Sequence, residues 1–422
     1  MVQCQCIKRD GKQCIRSAGA GINRNPLYCW QHQQASGLQQ GSGLEEEDEN
    51  HPSRNLSILS GPTKFSFYPD VNGIRILLLG ERHDTKGLCS EYDLSLKGGR
   101  IYEVHKWLGD LAKNAPECLD ILVEQPFLLN DQEYEKEIDR GTDLISYSSP
   151  LAAIIKEFEK CQIILKKDPC YSPHLRYHYI DLRRIVTGKS AVVQMGNLVY
   201  EGYSTMVKYK FNFPVSWVDV LLETDFKYVD DERTILSYVI GVDLSQSSQE
   251  IYEQYMISLS ENLKEQASQI YYGIDLDPFT YDHKRDFLYM KNLHNKINKE
   301  VEKMDTSIDR KEFLETLLNV YLDHQGLSLG EKIFLIPMDL YLLTRLFINF
   351  DQAKMNRGPP GCHQNKIIKN AIIYAGWDHT DIYDAFIAEF FGVYPEIEVD
   401  LQMGKKSQSQ CIKFLQPFDF FA

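Results

Sequence analysis

Two apolar runs, each closed by Gly-x-x-His, constrain this chain more than any other feature. Ile74–Leu79 (IRILLL) is followed by Gly80-Glu81-Arg82-His83, and Ala371–Ala375 (AIIYA) by Gly376-Trp377-Asp378-His379. Short runs with no polar alternation fit strands buried on both faces. A glycine at the carboxyl end lets the chain turn sharply and presents the next side chains at the sheet edge, where α/β proteins build their sites. A third run, Leu119–Val123, ends in Glu124-Gln125-Pro126. An acid directly after an apolar strand costs free energy unless it is paired or ligating. Glu81, His83, Glu124 and His379 are therefore expected at one edge.

Between the runs Ile74–Leu79 and Leu119–Val123, Ile101, Val104, His105, Leu108, Leu111, Ala112 and Ala115 recur at helical spacing before Pro116. Strand, helix and strand at this separation predict a right-handed crossover and a parallel pair. Tyr177–Leu182 reads as a third strand, and Ile367–Ala375 as a later one leading into a helix over Ile382–Phe391. Residues 186–335 are charged and helical in period, which suggests a large helical insertion or cap. The expected class is α/β: a central, mainly parallel sheet flanked by helices, occupying 61–422. Residues 33–60, rich in Gln, Ser and Gly with an acidic run at Glu45–Glu49, read as a flexible tether.

Residues 1–32 form a separate unit. Cys4, Cys14, Cys29 and His32 supply the four thiolate or imidazole ligands of a tetrahedral zinc site, with Cys6 as the substitute for Cys4. A unit this short cannot build an adequate core, so the ion would also drive its folding. Its CQCIKRDGKQC…YCWQH string resembles a small zinc module found in proteins of large DNA viruses and phages.

The formal charge of −14 excludes a chain that coats nucleic acid with its whole surface. The first forty residues nevertheless carry a net +4, so a nucleic-acid or protein contact is expected there. No stretch approaches the roughly 20 apolar residues of a spanning helix, and the first residues lack the apolar region of a signal peptide. These features predict no membrane contact and an intracellular setting: host cytoplasm or virion, for a viral protein. In such a reducing compartment a disulfide framework is the weaker reading for the six scattered cysteines, Cys89, Cys118, Cys161, Cys170, Cys362 and Cys411.

Imidazoles and carboxylates meeting at one edge suit two chemistries: a divalent cation that activates water, or a metal-free acid and base. His83, His379 and Glu124 are the candidate ligands of this second metal. Arg345, on the apolar stretch DLYLLTRLF, needs an anionic partner, expected to be Glu81, Glu124 or a developing oxyanion. This set resembles the Tiki/TraB superfamily, whose relatives include the erythromycin esterases and the haem-binding ChaN proteins. The matching residues are Gly80, His83, Glu124, Arg345, Gly376 and His379, and Glu81 fits the Gly-Glu-x-His form. The resemblance covers about 61–185 and 336–400. It implies a hydrolase of peptide or ester bonds with Glu81, His83, Glu124, Arg345 and His379 as catalytic groups. The alternatives are a haem-binding protein, or a non-catalytic structural or host-interaction protein with a vestigial site. Together with the zinc module, the pattern is similar to that of uncharacterised proteins of large DNA viruses.

Overall fold

The computed structural model describes residues 56–81, 89, 101–126, 150–161, 170–181, 224–270, 295, 297–351, 359–401 and 411–421. Residues 1–51 and 52–422 separate into two units. The cysteine cluster (Cys4, Cys6, Cys14, Cys29 and His32) and His83 lie outside the described residues.

The nine strands described are β1 (Leu56–Ser60), β2 (Lys64–Val71), β3 (Ile74–Glu81), β4 (Ile101–Glu103), β5 (Leu119–Pro126), β6 (Leu175–Asp181), β7 (Asn370–Gly376), β8 (Ile397–Asp400) and β9 (Cys411–Phe418). Six form a mixed, mostly parallel sheet in the order β6-β5-β7-β3-β2-β8. The pairs β6/β5, β5/β7 and β7/β3 are parallel. Hairpin partner β2 and edge strand β8 are antiparallel. The expected β3–β5 pair is not direct. Both strands run parallel as expected, but β7, from the far end of the chain, lies between them and bonds to each.

A second sheet, β4-β1-β9, was not expected. Leu56–Ser60 falls in the stretch read as tether, yet Leu56, Ile58 and Leu59 are buried. Ile101–Glu103 begins as β4, pairing with Ile58–Ser60, rather than as the first turn of the helix. That helix, α1 (Val104–Lys113), buries Val104, Leu108, Leu111 and Ala112 of the stripe its spacing predicts, and Trp107 besides.

Helices cover both faces of the large sheet. On one face, α1 and α2 (Pro150–Glu157) pack with β1 and β9 on Leu77, Leu79, Ile121, Val123 and Ile372. On the other lie α3 (Glu232–Ile240), α4 (Gln246–Ile270), α5 (Arg310–Asp323), α6 (Leu329–Leu346) and α7 (Trp377–Phe391). Their apolar residues share one core with Ile76, Leu78, Leu122, Ile180 and Ile373. The described parts of the inserted segment are mainly helical as expected, and their helices form a layer of the fold. Helix α6 starts with a capping box: Ser328 accepts from the Glu331 N–H, and Glu331 accepts from the Ser328 N–H. Helix α7 ends at Gly392, whose positive φ of 65° suits glycine.

The disulfide framework, the weaker reading of the sequence, is what the fold contains. All six cysteines of the described residues are paired: Cys89–Cys411, Cys118–Cys362 and Cys161–Cys170. The fold brings residues up to 322 positions apart to Cα separations of 4.2–5.0 Å, a proximity that spacing along the chain does not reveal.

Candidate functional site

Alternation along the strands decides which side chains can meet. On β5, Asp120, Leu122 and Glu124 point to the face covered by α6 and α7, and Leu119, Ile121 and Val123 to the other. Glu124 is buried at the carboxyl end. Its Oε2 accepts the Gly376 N–H at 2.6 Å. Gly376 is the N-cap of α7, so this carboxylate occupies the positive end of a fifteen-residue helix.

His379 lies in the first turn of α7 and is 3 % exposed. Its Nε2 is 3.5 Å from Glu124 Oε1, and its Nδ1 is 2.5 Å from Asp339 Oδ1. Asp339, on α6, is fully buried and also accepts from the hydroxyls of Tyr383, at 2.7 Å, and Tyr321. Tyr383 is one turn along α7 from His379, and Tyr321 is on α5. Four elements, β5, α5, α6 and α7, thus close around one imidazole. Burial opposes its charge, but the Asp339 and Glu124 carboxylates outweigh burial and raise the His379 pKa to about 9.

The connections place this group at a switch point. The chain leaving β3 and the chain leaving β5 both lead to helices on the α1/α2 face, whereas α7, leaving β7, lies on the opposite face. The carboxyl ends of adjacent strands whose connections diverge border the crevice where open α/β sheets bind ligands. Glu124 and His379 flank that divergence.

Glu81 reaches the same edge but points the other way, with Leu77 and Leu79. Its Oε2 accepts the Leu151 N–H at 3.1 Å and the Tyr374 hydroxyl. It therefore holds the first turn of α2, as Glu124 holds α7. Glu81 and Glu124 share this end of the sheet, but the two acids lie on opposite faces and do not form a pair. Gly80 is needed for close approach rather than for a turn: a Cβ there would stand 2.4 Å from Thr380 Oγ1 on α7.

Arg345 meets neither Glu81 nor Glu124. Its guanidinium is 3.5 Å from His178 Nδ1 and 3.7 Å from Glu300 Oε2, beside the Phe350 ring. His178 Nε2 bonds Asp120 at 2.7 Å, and Arg176 binds both Asp120 oxygens. Burial, opposed by Asp120 but helped by Arg345 and Arg176, lowers the His178 pKa. Asp120 is four residues before Glu124, about 13 Å along an extended strand, so Arg345 serves the amino end of the sheet. The physical reason is the helix: Asp339 and Arg345 are six residues apart on α6, which spans both ends. Asp181 ends β6 and is buried. His105, expected in the core, is partly buried beside Glu103 at 3.6 Å.

Asp339 was not singled out from the sequence. The signal was available: one acid in the run IFLIPMDLYLL, subject to the same buried-acid rule that picked Glu124. A second missed group lies on β2, where buried Lys64 bonds Asp381 at 2.9 Å and Asp384 at 2.7 Å on α7.

Among the described residues, no three or more His, Cys, Asp or Glu side chains are grouped to hold a metal ion. No helix among them is long and apolar enough to cross a membrane. No protein-family model, curated protein or solved structure matches this chain.

Proposed function

We propose that the 52–422 unit is a hydrolase of peptide or ester bonds, with His379 and Glu124 as its reacting groups and a divalent metal ion as cofactor. One spacing carries this reading. The 3.5 Å between His379 Nε2 and Glu124 Oε1 is long for a charge-assisted hydrogen bond. It is close to the separation of about 3.4 Å between two ligands on a tetrahedral ion with bonds of about 2.0–2.1 Å. The remaining atoms are anchored as ligands need to be: Asp339 accepts a hydrogen bond from Nδ1–H, so a metal ion would displace the Nε2 proton that faces Glu124, and the Gly376 N–H holds the second Glu124 oxygen. His83, two residues past β3 in sequence, is the third ligand of this proposal. When bound, such an ion lowers the pKa of a coordinated water and polarises a carbonyl. The protein's own part is to fix His379 and Glu124 in place and to hold the imidazole proton at Nδ1.

The Tiki/TraB and erythromycin-esterase resemblance supports the same residues except Glu81, which faces the other side of the sheet, and Arg345, whose contacts with His178 and Glu300 leave it out of the proposed chemistry. The N-terminal unit is proposed to carry its own zinc on Cys4, Cys14, Cys29 and His32, and to make the protein or nucleic-acid contact its charge favours.

A second reading, a non-catalytic scaffold, is favoured by the depth of His379 and by the carboxylate on each of its ring nitrogens. Metal analysis and hydrolysis assays on ester and peptide panels separate the two. The hydrolase reading expects turnover that chelator abolishes and that His379→Ala and Glu124→Gln each reduce by at least about 100-fold. Unchanged turnover in both variants overturns it.

A further inference from the structure

We propose that the native 52–422 unit is an oxidised protein, made by enzymatic dithiol oxidation, and that its Cys118–Cys362 bond is the clamp that registers β5 against β7. All six described cysteines find partners, and Cys118, Cys161, Cys362 and Cys411 are buried. Six cysteines can pair in fifteen ways, and this set is the one the fold itself brings together.

The two long-range bonds stand where the topology is most expensive to close. Strand β7 must enter between β3 and β5 after the helical segment, and bringing chain ends together costs more as the intervening loop lengthens. Cys118 immediately precedes β5, and Cys362 lies eight residues before β7, at a sequence separation of 244. The two strands then pair from Asp120↔Ala371 to Val123↔Tyr374. Their amino ends are thus tied covalently, while their carboxyl ends carry Glu124 and the helix bearing His379. A slip by one residue would turn Glu124 to the opposite face, so a clamp at one end protects the geometry at the other. Cys89–Cys411, separated by 322 positions, likewise ties the chain beyond β3 to the start of β9.

Each bond forms by exchange. A cysteine thiolate attacks a protein disulfide, the partner cysteine resolves the mixed disulfide, and the donor leaves as a dithiol carrying the two electrons and two protons. The required oxidant is a disulfide-bearing oxidoreductase. The inference does not depend on the hydrolase reading, because it concerns the fold's completion and not turnover.

The test uses the full chain made with and without an oxidising folding compartment. Denatured samples are alkylated without reductant, digested, and mapped by mass spectrometry. Expected are three linked peptides with the pairs above, no adducts on these six cysteines, and a melting temperature about 5 °C or more above that of the reduced chain. A Cys118→Ala/Cys362→Ala variant should lose most of that difference. If it fails to fold, the wild-type map still decides. Adducts on Cys118 and Cys362 in folded protein, other pairings, or coincident melting of oxidised and reduced chains each overturn the proposal.

Discussion

Raising the pH from 6 to 10 removes a defined part of this protein's stability, and one imidazole accounts for it. His379 has an ordinary pKa of 6.5 in the unfolded chain and about 9 when folded. Below 6.5 both states bind the proton, and the stabilisation from Asp339 and Glu124 is fully present. Between 6.5 and 9 the unfolded chain has released it while the folded protein holds it, so stability falls as pH rises, and above 9 the contribution is gone. The shift, at about 1.36 kcal/mol per unit, is worth about 3 kcal/mol in this fully buried setting. The assay is urea unfolding of chelator-treated protein at pH 6, 7, 8, 9 and 10. The comparison is His379→Gln, which keeps a polar side chain but does not titrate. Wild type should lose about 3 kcal/mol more than the variant across that window. Parallel curves would refute the reasoning, because they would mean that the carboxylates do not hold the proton.

Other outcomes follow from the same contacts. Asp339→Asn should cost roughly 3–5 kcal/mol by leaving the buried imidazolium short of a partner, and should flatten the pH dependence just described; chemical denaturation reads both effects. Gly80→Ala should cost about 1–3 kcal/mol because its methyl meets Thr380 Oγ1 at 2.4 Å, and Thr380→Ala in the same chain should recover most of it. Lys64→Met strands two carboxylates. Lys64 and His324 help hold the Asp381 pKa at about 2, a stabilising effect present above 3.8 and lost as pH falls toward 2, so acid unfolding should begin at higher pH in the variant. Elemental analysis of chelator-free protein should find zinc from the N-terminal cluster and a second metal that a His379→Ala/Glu124→Ala variant lacks.

Strands β3, β5 and β7 were legible because they are buried on both faces and so contain uninterrupted apolar runs. β2 was not, because Lys64, Ser66 and Tyr68 alternate along it and look solvent-facing. In the fold they are buried against α7, with Ser66 and Tyr68 donating to Asp384 at 2.9 and 2.6 Å. The β4-β1-β9 sheet was hidden by short strands whose partners are distant in sequence. At the site, Glu124 and His379 could be found from strand-end position alone. Which acid joins the histidine depends on strand parity and on the register of β7, and neither is visible in a run of similar residues. Arg345 shows the same gap: a buried guanidinium does demand partners, but helix length chose Glu300 and His178 over Glu124.

The position of β7 also sets a timetable for synthesis. Strand β5 emerges from the ribosome some 240 residues ahead of it and β3 some 290, which at about 5–20 residues per second is roughly 10–60 s. Throughout that interval β3 and β5 lack the strand that joins them, and each has an unpaired apolar edge open to any passing extended chain. Production conditions that slow elongation or crowd nascent chains should therefore lower the yield of this protein far more than its finished stability would suggest.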